Sequence, residues 1–394
     1  MAAAQGSGFP PLVAEVQYAL GDAQAKAGSY AAAEQILREA FAGAEGGRID
    51  ELAERASLRL AQVIGGNQQR FGEASVWADL AAAKAERLGG RAELRGAVAY
   101  ARAMLLQRQG RWTESLARCR EALPLLESAH GAQSPRVAEV ERLMGSLMLE
   151  DGNLDEARAH HQRAFAIWSA ALGTSHPDVA MSLNSLGHVQ AAAGDLEGAQ
   201  QTHRRALAIA RAALGDEHPY VANALHNVAM VALAMGNLDE AEASLVRALQ
   251  IRIKAYGPDH PLTAGTQGTQ GELAMRRGRP SEALELHQRS LAALQKTLPA
   301  DHPGLAAPLI GIGLAQLELG ATKPAREALE QALRLRSEHP GEPARLATAR
   351  FALARILATE DLPRALALAQ QAREGFASIK DGRAAEVERW ISAP

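Results

Sequence analysis

Cysteine and aromatic residues are both scarce in this chain of 394 residues. It has one cysteine, Cys119, and Phe, Trp and Tyr together make up 4% of the sequence. A single cysteine excludes an internal disulfide framework and any zinc site built from several thiolates. It also fits a reducing compartment, so we expect a cytoplasmic protein. Because strands favour aromatic and β-branched residues, the composition argues against a β-rich fold.

Blocks of one charge and long apolar runs are also missing. The 42 Lys and Arg residues are interleaved with 45 Asp and Glu residues, giving a net charge of −3. Because nucleic-acid binders typically gather basic residues on one face, we expect no nucleic-acid partner. No stretch approaches the roughly 18 uncharged apolar residues that suggest a membrane span. Residues 1–11 lack the charged start and apolar core of a signal peptide, and we interpret them as a flexible leader.

What the sequence does have is a repeat of 42 residues. Six glycines recur at this spacing, with a small residue seven positions before and another five positions after each of them. The six glycines are Gly110, Gly152, Gly194, Gly236, Gly278 and Gly320. A Ser-Pro or His-Pro pair recurs in the same phase, with its proline at positions 135, 177, 219, 261 and 303. Several features in one phase identify a true repeat.

Each repeated feature has a structural role. Proline suits the first position of a helix, because its φ angle is already helical and its missing N–H would have had no partner. Glycine ends a helix in the left-handed conformation. One unit is therefore helix A, a tight turn, helix B and another tight turn. The apolar faces of such a hairpin are covered only by its neighbours, which predicts an all-α solenoid.

The regularity of the repeat divides the chain. Units in residues 12–133 are divergent, units in 134–338 are regular, and 339–394 hold a shortened last unit and a capping helix. The last unit begins at His339-Pro340, five residues early, and the cap is the amphipathic segment Arg383–Ile391. We predict about nine helical hairpins between residues 12 and 378, followed by this cap.

The repeat resembles the kinesin-light-chain type of tetratricopeptide repeat. The resemblance is carried by GDEHPYVANALHNVA at 215–229, GNLDEAE at 236–242 and RALQI at 247–251. It implies a right-handed tetratricopeptide superhelix. HEAT and armadillo repeats share the period but not this phase of glycine and small residues. The tail resembles the C-terminal repeat region of large bacterial serine/threonine protein kinases, through FALAR at 351–355, RAL at 364–366 and AEVERW at 385–390.

In the family that the chain resembles, asparagines on helix A bind the backbone of an extended peptide. An amide suits this task because it donates and accepts hydrogen bonds, whatever the side chains of the peptide. The corresponding stretches here are LNSLG at 183–187 and LHNVA at 225–229. The predicted peptide-binding residues are Arg142, Asn184, His188, Asn223, Asn227 and Met230. We expect Asn184 and Asn227 to lie outside packing positions, so that both amides face the ligand.

Helix A of the next unit departs from this pattern, because Gly265, Gly268 and Gly271 follow one another at a spacing of three. Only Gly271 occupies the position that is small in every unit. The other two either weaken the helix or leave bare backbone facing a ligand. If the apolar side chains beyond them, Met275, Leu314 and Leu317, formed the site instead, an amphipathic helix would suit it better than an extended strand.

Motifs of catalysis are missing from the sequence: it has no phosphate-binding loop, no His-Glu-x-x-His and no kinase signature. Three of its twelve histidines, His161, His203 and His287, share one phase of the repeat. Because they lie in successive units, they are too far apart to share one zinc ion at about 2.0 Å from each nitrogen. We interpret them as packing between hairpins, each with one polar partner. We therefore predict no enzymatic activity, no cofactor and no metal.

Two hypotheses about function follow from the sequence. The first is a cytoplasmic scaffold or adaptor that binds a peptide segment of a protein partner in the concave groove of the solenoid. The second is a regulatory or docking region of a bacterial serine/threonine kinase whose catalytic domain is not in this chain.

Overall fold

A computed structural model of the chain describes residues 10–68, 70–337, 343–379 and 381–392. These residues form nineteen α-helices and no strand, which confirms the all-α prediction. The helices are α1 (Pro10–Lys26), α2 (Tyr30–Gly46), α3 (Asp50–Ala61), α4 (Phe71–Arg87), α5 (Ala92–Arg108), α6 (Trp112–His130), α7 (Pro135–Glu150), α8 (Leu154–Leu172), α9 (Pro177–Ala192), α10 (Leu196–Leu214), α11 (Pro219–Ala234), α12 (Leu238–Tyr256), α13 (Pro261–Arg276), α14 (Pro280–Gln295), α15 (Ala306–Glu318), α16 (Thr322–Leu335), α17 (Pro343–Leu357), α18 (Leu362–Ser378) and α19 (Arg383–Ile391).

The helices pair in chain order into nine hairpins, from α1/α2 to α17/α18, as the repeat predicts. Helix α11 shows how the sequence sets the boundaries. It begins at Pro219, where Nδ1 of His218 accepts a hydrogen bond of 3.1 Å from the backbone N–H of Tyr220. It ends just before Gly236, whose φ of +81° is left-handed. The hairpin α15/α16 differs, because Pro303 opens a 3₁₀ turn and α15 begins only at Ala306. Gly304 follows this proline, and glycine is a poor helix former.

The two helices of a hairpin approach closely where one of them carries a small residue. A Cβ atom added at Gly187 on α9 would lie 2.6 Å from the ring of His203 on α10. A Cβ atom added at Gly313 on α15 would meet Leu329 on α16 at the same distance. This contact explains why the position seven residues before each capping glycine is small. It places the ring of His203 against α9, the other helix of its own hairpin.

The last helix closes the final hairpin. Helix α19 has the predicted bounds, Arg383–Ile391. Its Val387 is fully buried, and the ring of Trp390 meets that of Phe351 edge to face at 5.8 Å between centroids. His339 and Pro340 lie outside the described residues, as do residues 1–9 of the predicted leader. Helix α1 begins at Pro10, two residues before the predicted start.

The chain divides into two compact units. Unit 1 comprises residues 1–147 and 160–179, and unit 2 comprises residues 148–159 and 180–394. Arg142 belongs to unit 1, whereas Asn184, His188, Asn223, Asn227 and Met230 all belong to unit 2.

Unit 1 contains a buried carboxyl group. Glu54 on α3 is 1% exposed, and its Oε1 has no hydrogen-bond partner among the described residues. Burial raises the pKa of Glu54 to about 7, and the negative charge of Glu93 adds to the shift. The folded unit therefore holds this proton more tightly than the unfolded chain, where the pKa is near 4.5. The stability of unit 1 should fall as the pH rises from 4.5 through 7.

Replacing Glu54 with glutamine is expected to stabilise unit 1 at high pH. The full cost of ionising Glu54 in the folded unit is about 3 kcal/mol at about pH 8. An amide in the same place would also lack partners, so the net gain in the free energy of unfolding should be about 2 kcal/mol. Thermal denaturation at about pH 8 and about pH 5 measures it, because the gain should largely vanish at the lower pH.

Glu86→Gln is the matched control, since Glu86 lies on α4 of the same unit and its side chain is exposed. It should show no such pH-dependent gain. An equal gain from Glu54→Gln at both pH values would contradict the raised pKa of Glu54.

Candidate peptide-binding face

Asn223, Asn227 and Met230 lie at positions i, i+4 and i+7 of α11 and so share one face of this helix. Asn227 is half-buried, and its amide makes no hydrogen bond to another described residue. Met230 is 38% exposed, so its apolar side chain is accessible on this face. This face therefore offers a donor and an acceptor beside an apolar contact.

Asn223, one turn before Asn227, contacts a buried cation. Its Oδ1 accepts a hydrogen bond of 2.9 Å from Nη2 of Arg252 on α12. Nη1 of Arg252 donates to the carbonyl oxygen of Leu262 at 2.7 Å and to Oγ1 of Thr266 at 2.6 Å. Arg252 is 4% exposed, and burial lowers its pKa to about 10. The guanidinium thus stays charged at neutral pH while all its acceptors are neutral.

Asn184 is a structural residue, and the prediction that it lies outside a packing position is wrong. It is 6% exposed. Its Nδ2 donates to Oη of Tyr220 at 3.0 Å, and its Oδ1 accepts from Nδ1 of His203 at 3.0 Å. Asn184 is in a packing position because the side chain of Tyr220, in the first turn of α11, reaches back to its amide. Asn184 therefore ties α9, α10 and α11 together, and its amide is occupied.

The ring of His188 lies beside this network. Its ring meets the ring of His203 edge to face, with 5.1 Å between centroids. Burial lowers the pKa of His188, and burial together with His188 lowers the pKa of His203 to about 3. Both rings are therefore neutral at pH 7, and His188 contributes shape and not charge.

A basic cluster lies next to this face and was not predicted. Nδ1 of His226 on α11 is buried without a hydrogen-bond partner among the described residues. Burial holds the pKa of His226 well below its usual value, and the charges of Arg252 and Arg345 lower it further. Arg345 on α17 pairs with Glu272 on α13 at 2.7 Å. His226 on α11 thus lies within electrostatic reach of Arg252 on α12 and Arg345 on α17.

Arg142, the sixth predicted residue, lies on α7 in unit 1. It is half-buried, and its Nε has no partner among the described residues. It forms a side-chain hydrogen bond with Tyr100, whose pKa is raised by burial.

The three glycines of α13 have different surroundings. A Cβ atom at Gly265 would meet nothing within 4 Å, and one at Gly268 would meet Oγ of Ser290 at 3.3 Å. Gly271 lies against the ring of His287, whose other face lies against Gly311 on α15. His287 was predicted to have one polar partner, and this is wrong: neither of its buried ring nitrogens has a partner in the described part of the chain.

Within the described ranges, no group of three or more His, Cys, Asp and Glu side chains is arranged to hold a metal ion. Nor does any helix there have the length and apolar character needed to cross a membrane.

The tetratricopeptide repeat profile matches residues 94–160, 136–212, 191–254, 220–296 and 264–338. Together these ranges cover more than half of the chain, so the chain belongs to the tetratricopeptide repeat family. This confirms the repeat type that the sequence predicts. No curated protein sequence is a significant match.

Several solved structures are similar to the chain. A Rap protein complexed with Competence and Sporulation Factor is 16% identical, with 96% of each chain covered and a TM-score of 0.63. BtubC (BKLC) from P. vanneervenii is 21% identical over 60% of this chain and 92% of its own, with a TM-score of 0.44. A putative kinesin light chain of Podospora anserina is 25% identical over 52% of this chain and 97% of its own, with a TM-score of 0.40. The Rap similarity shows a shared fold.

Arg252 is a buried cation beside the predicted residues that the sequence analysis missed. The predicted site was drawn from helix A alone, whereas Arg252 lies on helix B. The available signal was an arginine at a repeat position that is apolar in the neighbouring units. The sequence gave no comparable signal for Arg345, because its partner Glu272 lies 73 positions away along the chain.

Proposed function

We propose that unit 2 binds an extended peptide segment of a protein partner along α11, and that the chain acts as a scaffold or adaptor. Tetratricopeptide repeats support a protein-interaction scaffold. The observation that supports peptide binding along α11 is the amide of Asn227, which is half-buried on a helix A face and makes no hydrogen bond to a described residue.

The chemistry of this face suits a peptide backbone. The Asn227 amide can donate to a peptide carbonyl and accept from a peptide N–H. Met230 provides an adaptable apolar contact one turn further along. His188 bounds the face on the side of α9. Asn184 supports the site only indirectly, by fixing α9 and α10 against the start of α11.

The Rap protein of similar fold is complexed with Competence and Sporulation Factor, which is in keeping with a solenoid that receives a partner. The kinase alternative and the cytoplasmic location stay predictions.

The test uses peptides selected from a random short-peptide library on the immobilised chain. Asn227→Ala is expected to weaken the binding of a selected peptide by about tenfold, because losing one buried hydrogen bond costs about 1–3 kcal/mol. Isothermal titration calorimetry measures the affinity. The melting temperature should stay unchanged, since Asn227 contributes no hydrogen bond within the described chain.

Asn237→Ala is the matched control. Asn237 lies in the exposed turn before α12 and makes no capping hydrogen bond with its side chain. It should bind peptide as the wild type does. Unchanged affinity in Asn227→Ala would reject this face as the site.

A further inference from the structure

We infer that two copies of this chain associate through the outer face of α12, with the two helices antiparallel about a two-fold axis. Val246 and Ile253 on this helix are 45% and 43% exposed. They lie at positions i and i+7, so both side chains project from one face of the helix. Leu249, between them in sequence, is half-buried. The helix therefore presents an apolar stripe to solvent, separate from the proposed peptide face on α11.

The repeat does not require apolar side chains on this face. In the other regular units and the unit before them, both equivalent positions are polar. The pairs are Arg120 and Glu127, Gln162 and Ser169, Arg204 and Arg211, Gln288 and Gln295, and Glu330 and Ser337. Single exposed apolar residues are common on protein surfaces, whereas grouped ones mark contact surfaces. An apolar residue at both positions of one helix therefore indicates a contact that only this unit makes.

The start of α12 carries an excess of negative charge. Asp239 and Glu242 share a single cation, because both form ion pairs with Arg277, at 2.8 and 3.0 Å. Two carboxylates against one guanidinium leave one negative charge. Glu240 does not change this balance, since it pairs with Arg204 on α10 at 2.6 Å.

The second half of α12 carries the opposite excess. Arg247 and Lys254 both pair with the single carboxylate of Glu217, which leaves one positive charge. An antiparallel second copy places the negative start of each helix beside the positive end of the other. The surface is thus complementary to itself, whereas a partner of one charge sign would be repelled at one end. Charges of this kind set the orientation of a complex more than its affinity.

Gln250 supports the same arrangement, because it is exposed between Val246 and Ile253, where the two-fold axis would pass. Its Oε1 accepts a hydrogen bond of 3.4 Å from Arg247, and its Nε2 makes no hydrogen bond to another described residue. An amide both donates and accepts, so Gln250 can pair with the same residue of a second copy. Around the axis, Val246 of each copy packs against Ile253 of the other, and every contact occurs twice.

Val246→Arg combined with Ile253→Arg tests the surface. Helix α10 carries arginine at both equivalent positions, so the fold should tolerate the change, and an unchanged melting temperature verifies this. We expect the wild type to dimerise and the variant to raise the dissociation constant of the dimer by about a hundredfold or more, because four apolar side chains lose their burial. Sedimentation equilibrium over a concentration series measures the constant. A monomeric wild type, or a folded variant that dimerises equally well, would overturn the inference.

Leu362→Arg combined with Leu366→Arg is the matched control. These two residues form another exposed apolar pair, on α18, with 53% and 37% of their surface accessible. The control should dimerise as the wild type does. Equal loss of the dimer in both double variants would show association through any apolar surface, and would overturn the assignment to α12.

Cysteine cross-linking tests the antiparallel arrangement. Val246→Cys and Ile253→Cys are prepared as separate variants and oxidised singly or mixed. The native Cys119 should stay unreactive, because burial raises its pKa to about 12. Since position 246 of one copy faces position 253 of the other, we expect the mixture to form a disulfide-linked dimer on a non-reducing gel and neither variant to do so alone. Cross-linking of each variant with itself, and not in the mixture, would overturn the antiparallel pairing.

Discussion

Replacing Gly311 with alanine is expected to destabilise unit 2 by about 3 kcal/mol or more, which is the upper range for overpacking a core. The added Cβ atom would lie 2.3 Å from Cε1 of His287. The ring cannot move away, because on its other side a Cβ atom at Gly271 would already come within 2.7 Å of Nε2. His287 is thus held between two glycine backbones, and urea denaturation of the variant measures the loss.

Replacing Gly265 with alanine should have the opposite effect on stability. Gly265 is exposed, and a Cβ atom there would meet nothing within 4 Å. Alanine is favoured over glycine inside a helix by about 1 kcal/mol, so Gly265→Ala should stabilise α13 by up to that amount. Combining Gly311→Ala with His287→Ala should recover most of the lost stability, because the ring is then gone. A Gly311→Ala variant as stable as the wild type would show that the ring is not confined.

The architecture could be predicted from the sequence because every unit repeats the same local signals. The prolines at 219 and 261 and the glycines at 236 and 257 fix helix boundaries through backbone conformation alone. Such signals act within a few residues and do not depend on distant parts of the chain. The nine hairpins and the capping helix follow directly from counting them.

The candidate site could be predicted only in part, because its chemistry depends on residues that differ between units. The repeat places Asn184 on the correct helix, but its amide is occupied by Tyr220, for which the other regular units have Arg136, Asp178, Leu262 or Gly304. Asn227, in the next position of the stretch, has no such neighbour and keeps its amide available. Periodicity therefore locates a face of helix A but cannot distinguish a structural asparagine from one that can bind a ligand.

Acid should destabilise unit 2 before its carboxylates are protonated. Burial lowers the pKa of His203 to about 3 and that of His287 to about 4, whereas both are near 6.5 in the unfolded chain. The unfolded state therefore binds more protons than the folded state below pH 6.5, and stability falls as the pH falls through this window. At about pH 5 the loss is about 2 kcal/mol for each of these two rings, and His188 and His226 add to it because burial lowers their pKa values too.

His287→Leu separates this effect from other acid-sensitive groups. Leucine fills the same position in two other units, as Leu245 and Leu329, and no hydrogen bond of His287 to a described residue is lost. Between pH 7 and about pH 5 the variant should lose about 2 kcal/mol less than the wild type, because His188, His203 and His226 remain. Hydrogen exchange of the α13–α15 amides reports unit 2 alone, which keeps the opposite pH dependence of Glu54 in unit 1 out of the measurement. Equal acid sensitivity of the variant and the wild type would show that His287 is already protonated in the folded chain, and that its ring has access to water between Gly271 and Gly311.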